Sequence, residues 1–373
     1  MKKNKAPTNY FFSDGKTKLV YGIQQIGIGV DNAYDAFKWY ATLLGADIPV
    51  FDDDTVNTFM APYMGGEPHK KRAIFALNLQ GGSGFELWQY LDRAPLKSVN
   101  GFSTGDLGIN FIKVKSKDIE GSYKRLQDQK VRIISGIVQD VDGRKCFYIQ
   151  DPCDNILQIK ENDAWYIFRK FDTGGIFGCT IGVSDIGRSL QLYRDILGYS
   201  VIIYDKSGVF EDLKSLPNGG AKFRRVLLTH PNDRTGGFSK LLGRSQVELI
   251  QSLDQPSGKI LQDRFWGDIG FIHVCFDIYN MEAMIKECVE AGMPFKVISN
   301  DFFNMDKANG RFGYIEDPDG TLIEFVETYK VPLIKKINWG INLLNRDPNK
   351  PLPNWLIRAL SLNRIKFKKR KSP

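Results

Sequence analysis

At 373 residues the chain is longer than one hydrophobic core ordinarily serves, so two domains are expected. Apolar content of 42%, with 12% aromatic residues, suffices for packed cores, while the apolar runs fall short of the roughly 18 to 20 residues that a membrane span needs. The net charge of +8 is local: Lys335 onward carries eleven Lys or Arg against one acid, net +10, which leaves the preceding residues at −2 and without the aromatic-interleaved basic face of a nucleic-acid binder.

The first 19 residues, opening "MKKNKAPTNYFFSDGK", are basic but lack the apolar stretch of a signal peptide, which predicts a cytoplasmic location. Then "IGIGVDNAYDAFKWYATLLGAD" reads as a strand, a cap at Asn32, a helix and a terminating Gly45. Ala33, Phe37, Tyr40 and Leu44 form one apolar stripe on that helix. A second strand and helix follow in "GINFIKVKSKDIEGSYKRL", and a hairpin "YIQDPCDNILQI" starts at Tyr148. The pattern then repeats. "CTIGVSDIGRSLQLYRDILGYS" places a cap at Ser184 or Asp185, and Ile186, Leu190, Tyr193 and Leu197 match the first stripe at a constant offset of 153. "GFIHVCFDIYNMEAMIKEC" matches the second helix at an offset of 162, and "YIEDPDGTLIEF" from Tyr314 matches the hairpin at 166, with Glu324 where the first copy has Gln158. Short strands such as "GFELWQY", "RVLLTH" and "QVELIQ" fill the gaps, so a strand, a helix and about three strands occur four times. The five scattered cysteines, Cys146, Cys153, Cys179, Cys275 and Cys288, read as reduced core residues.

In this order "IGIGV", "YRDILG" and "EDPDGTLIEF" resemble the vicinal oxygen chelate superfamily, which contains glyoxalases, bleomycin-resistance proteins and extradiol dioxygenases. The resemblance implies an α+β fold of tandem βαβββ modules: one domain over 20–162, a second over 174–328, each a cup-shaped mixed sheet, then a basic tail over 335–373. It also implies a divalent metal held by the first and last strand of each module.

Strand alternation tests that implication. Val274, Phe276 and Ile278 share the helix-covered face, so His273 points into the cup, and Glu248 does likewise between Val247 and Leu249. Glu324 lies in a strand apolar on both sides, where a carboxylate calls for a cation. The expected site is therefore Glu248, His273 and Glu324 in the second domain, with Gly178 at the fourth family position and one divalent ion, Zn, Ni, Co, Mn or Fe. Gln25, Glu86 and Gln158, with Ile109 or Asn110 at the place of His273, make the first domain a degenerate copy. His69 and His230 read as surface residues.

Three functions are compatible with this pattern. The first is a metal-dependent lyase or isomerase of glyoxalase or epimerase type, acting on a small substrate with vicinal oxygens, with Glu324 or Glu248 as base. The second is an extradiol-type Fe(II) dioxygenase. The third is a binding or resistance protein whose cup is lined by Trp88, Tyr90, Phe223, Phe312 and Tyr314. Arg311, Phe312 and Tyr314 are the candidate substrate-binding residues, and a monomer or homodimer is expected. In the tail, "NWLIRALSLNRIKF" predicts a short helix that docks on the body. A weak peripheral membrane contact through Trp355, the leucines and "KFKKRK" is the alternative.

Overall fold

The computed structural model describes residues 17–99, 101–337 and 339–367. Four modules succeed one another. The first comprises β1 (Leu19–Gly29), α1 (Ala33–Leu43), β2 (Ile48–Asn57), β3 (His69–Leu77) and β4 (Gly84–Tyr90). The second comprises β5 (Gly108–Ser116), α2 (Ile119–Asp128), the short β6 (Arg132–Ile133) and β7 (Val138–Gln139), β8 (Lys145–Gln150) and β9 (Ile156–Glu161). The third comprises β10 (Thr173–Gly182), α3 (Ile186–Leu190) running on into a π-helical turn (Gln191–Ile196), β11 (Val201–Gly208), β12 (Phe223–Thr229), α4 (Ser239–Leu242) and β13 (Gln246–Ser252). The fourth comprises β14 (Gly270–Tyr279), α5 (Met281–Glu290), β15 (Val297–Ile298), β16 (Phe303–Met305), β17 (Ala308–Glu316) and β18 (Leu322–Ile334). The tail adds β19 (Trp339–Asn342) and α6 (Asn354–Ala359).

Local chemistry explains the helices. The Asn32 side chain accepts from Asp35 N and the Asp185 side chain from Arg188 N, each capping a helix start. Ser184 is not the cap but bonds Asp319 instead. Gly45 and Gly198 end the two helices at φ of +76° and +73°, the left-handed region that favours glycine. Ala33, Phe37, Tyr40 and Leu44 are all buried, as are Val274, Phe276 and Ile278 on the same side of the sheet.

The modules do not close their cups within each half of the chain. One sheet runs β15-β17-β18-β14-β1-β4-β3-β2 and joins the first module to the fourth; the other runs β11-β12-β13-β10-β5-β9-β8-β6 and joins the second to the third. The expectation that each sequence half builds its own cup is thus corrected. Periodicity marks a module, but the partner of its first strand is chosen by tertiary fit. That fit is visible between β1 and β14, where Gly27 pairs with His273 and a Cβ on Gly27 would meet the imidazole at 2.3 Å. Consecutive modules are tied differently. The Tyr40 hydroxyl donates to Asp151 at 2.7 Å and the Tyr193 hydroxyl to Asp317 at 2.9 Å, so the aspartate of each DP hairpin anchors the helix of the preceding module.

Among the described residues no helix is long and apolar enough to cross a membrane, and all five cysteines are free. The described part of the tail docks on the body through the buried Leu352, Leu356, Ile357 and Leu360, while Trp355 stays 63% exposed. Of the basic run only Lys366 and Phe367 fall within the described residues, and so do only the last three residues of the N-terminal segment.

Candidate metal centre

The four central strands of the first sheet each bring one side chain to the concave face: Gln25 from β1, Glu86 from β4, His273 from β14 and Glu324 from β18. Registry aligns them, since Glu86 lies beside Gly27, itself opposite His273, and Glu324 lies beside Cys275, which pairs with Gln25. His273 Nε2 is 3.1 Å from Glu86 Oε2 and 3.1 Å from Glu324 Oε2. Gln25 Nε2 donates to Glu86 Oε2 at 3.0 Å and reaches Glu324 Oε2 at 3.5 Å. All four side chains are buried. The imidazole lies against Trp266, with centroids 5.9 Å apart and planes within 15°, and edge-on to Tyr314.

Two buried carboxylates converge here on one imidazole. Burial alone pushes His273 down, but the negative charges of Glu324 and Glu86 outweigh it and raise its pKa to about 9. Burial likewise pushes Glu324 up, and His273, the Tyr314 hydroxyl and the Cys275 thiol reverse that and hold it below its ordinary value. The donors fit a divalent cation. One ligand atom from each of Glu86, His273 and Glu324 lies within 4.8 Å of the others. Gln25 Oε1 is buried without a partner, and His273 Nε2 sits near both carboxylates but off the angle of a hydrogen bond. Turning the Gln25 amide exchanges its nitrogen for its oxygen and would offer a fourth donor, a set of three oxygens and one nitrogen.

Glu248 is not in this cluster; it occupies the other sheet, and its expected place beside His273 is corrected to Glu86. The segment carrying Glu248 belongs to the third module, which shares a cup with the second and not with the fourth. There Glu248 is fully buried. Its Oε1 accepts from Arg225 Nε and the Tyr204 hydroxyl, both at 2.6 Å, and its Oε2 from Lys113 Nζ at 2.8 Å and Thr180 at 2.7 Å. Lys113 Nζ also donates to Gln158 Oε1 at 2.9 Å, while Arg225 and Lys160 engage Asp212 and Asp140. Against the pull of burial, Arg225 and Lys113 lower the Glu248 pKa to about 2. Register identifies the remaining equivalents. Lys113 beside Gln158 corresponds to Cys275 beside Glu324, so Phe111 stands where the other cup has His273. Ile109 packs in the helix-side core and Asn110 closes a local turn with Asp106 and Gly108, so neither is the counterpart. Gly178 takes the place of Gln25, as the spacing indicated. The second cup is therefore the degenerate one, and it carries its own cations.

Of the expected substrate-binding residues, Phe312 and Tyr314 line a cavity that also borders Gln25, Glu86 and Glu324. Arg311 is at its edge, paired to Glu282 and Asp301. Trp88 lines the cavity too, whereas Tyr90 donates to Trp266 O and Phe223 belongs to the core of the other cup. His69 sits near the surface against Asp92; His230, expected at the surface, is buried, bonded to Asn232 O and Ser245 N, and pushed down to about 4 by burial. Lys113 and Arg225 went unnoticed in the sequence. The signal was present, because alternation puts Lys113 on the same face as Phe111 in an apolar strand and Arg225 on the cup face of "FRRVLL".

The family model described as Glyoxalase/Bleomycin resistance protein/Dioxygenase superfamily matches residues 22–159 and 175–325, and the chain belongs to that superfamily. Among solved structures, a putative dioxygenase from Bacillus subtilis subsp. subtilis str. 168 is 14% identical with a TM-score of 0.52, over 83% of this chain and 86% of its own. Glyoxalase I from Zea mays is 13% identical with a TM-score of 0.51, over 83% and 92%. At such identities the likeness is one of fold. No curated protein sequence matches the chain.

Proposed function

We propose that the protein is a divalent-metal-dependent enzyme of glyoxalase or epimerase type, a lyase or isomerase acting on a small substrate with two vicinal oxygens. The observation that carries this reading is the convergence of Gln25, Glu86, His273 and Glu324 on one point, with Gln25, Glu86 and Glu324 also bordering the cavity. A divalent ion held there would supply Lewis acidity to the vicinal oxygens of the substrate and so acidify the adjacent C–H. Glu86 from β4 and His273 from β14 would hold that ion from either side of β1, which offers Gln25. Glu324 is the proposed base. Its carboxylate faces the cavity, and the Tyr314 hydroxyl and Cys275 thiol orient it. Trp266 and Tyr314 shield the imidazole from water.

The test is solvent deuterium exchange at the α-carbon of hemithioacetals and 2-acyl thioesters, using protein loaded with Zn, Ni, Co, Mn or Fe. Exchange that falls roughly 10²- to 10⁴-fold in Glu324→Gln supports the assignment. Absence of exchange with every metal overturns it, and oxygen uptake with catechols would move the protein to the dioxygenase class.

A further inference from the structure

The superfamily match ends at residue 325, yet the chain that follows helps to build the reaction cavity. β18 continues to Ile334, and Val331 from that extension lines the cavity together with Leu360, from the turn after α6. Phe303, Met305 and Phe312 form the neighbouring wall, so the space leading away from Glu86 and Glu324 is bounded on this side by apolar groups. The segment is fastened at several points. Arg364 pairs with Asp47 at 2.9 Å, Ile365 N donates to Asp47 O at 3.0 Å, Lys335 pairs with Asp306 at 2.9 Å, and Leu352 N donates to Gly237 O at 2.9 Å. These bonds tie it to the first, third and fourth modules.

We propose that residues 331–337 and 339–365 are the specificity element of the site, and that the substrate carries an apolar substituent, of several carbons, which rests on Val331 and Leu360. This rests on the function proposed above. Burying each methylene of such a group gains affinity, whereas a polar substituent laid on Val331 and Leu360 would find no partner in those two side chains.

Hydroxamic acids separate the two claims, because their adjacent oxygens chelate a metal and their acyl chains vary freely. Binding of acetohydroxamic and octanohydroxamic acid to the metal-loaded full chain is measured by calorimetry. The expected result is at least about 100-fold tighter binding of the octanoyl compound, from roughly three- to fourfold per methylene. In Leu360→Trp, and independently in Val331→Phe, most of that gain disappears while acetohydroxamate affinity and metal content hold. Leu360→Ala, the milder change, should shift the preference towards longer chains. Equal affinity of both compounds for the wild type, or a chain-length preference untouched by all three folded variants, overturns the inference and leaves the metal reading standing. If acetohydroxamate itself fails to bind the metal-loaded protein, the metal reading falls and the inference with it.

Discussion

Glu86 and Glu248 occupy corresponding places in the first and third modules, each beside the equivalent position of its first strand, Gly27 or Thr180. Their neighbours give them opposite roles. Among the described residues Glu86 meets the neutral Gln25 amide and the titratable His273, so its charge is available to a cation. Glu248 meets a guanidinium and an ammonium that cannot leave, so its charge is already matched. Removing one partner from such a buried set leaves charge unpaired, and Lys113→Met should destabilise the protein by about 3–5 kcal/mol in urea unfolding. At His273 the sign with pH runs the other way from an ordinary carboxylate. Its folded pKa of about 9 lies above its unfolded value, so in metal-free protein its contribution to stability is full below about pH 6.5 and lost as pH rises through 9. Metal must displace that proton. Affinity should therefore rise roughly tenfold per pH unit between pH 7 and 9, measured by competition with a chelator, and flatten above. A flat profile over that range would mean that His273 is not a ligand.

At the scale of elements, the pairing of β1 with β14 is what assembles the centre, and Gly27 makes it possible. A methyl group there would overlap the His273 ring, which has to shift to admit it. Gly27→Ala should lower metal affinity by at least about tenfold while far-ultraviolet circular dichroism stays native, whereas the same change at Gly136, which meets nothing, should have no effect. The DP hairpins belong to this scale too. Tyr40 and Tyr193 recur at the same offset as their helices, and each donates to the aspartate of the next module's hairpin, so the repeated phrase marks a repeated joint. Tyr40→Phe or Tyr193→Phe leaves a buried carboxylate short of a donor and should cost about 1–3 kcal/mol by thermal or urea unfolding. Much of this level was legible in sequence: the helices, their caps, their buried stripes and the cup-facing side of His273, Glu248 and Glu324 all follow from period and punctuation. The clue to partnership was a glycine opposite a histidine, and it means nothing until the two strands are set side by side.

For the whole molecule, the cups are interleaved. Each half of the chain contributes one module to each sheet, so neither sequence half owns the candidate site. Four similar modules admit more than one pairing of first strands, and residue spacing is identical in all of them. That is why the site could be read as a set of cup-facing ligands and yet be assigned one wrong member. A consequence is that residues 1–166 and 167–373, produced separately, should each expose the unpaired edges of two first strands and aggregate, while their co-expression should restore one soluble complex with the metal site. Two separately soluble monomeric halves would contradict the interleaved topology. If one cup holds a metal through ligands from both halves and the other holds only its own lysine and arginine side chains, metal analysis of the wild type, Glu86→Ala and Glu248→Ala after loading and gel filtration will separate the two cups. One equivalent per chain is expected in the wild type and in whatever Glu248→Ala protein remains folded, and its loss in Glu86→Ala. Retention in Glu86→Ala with loss in folded Glu248→Ala, or no uptake by the wild type, would contradict that arrangement.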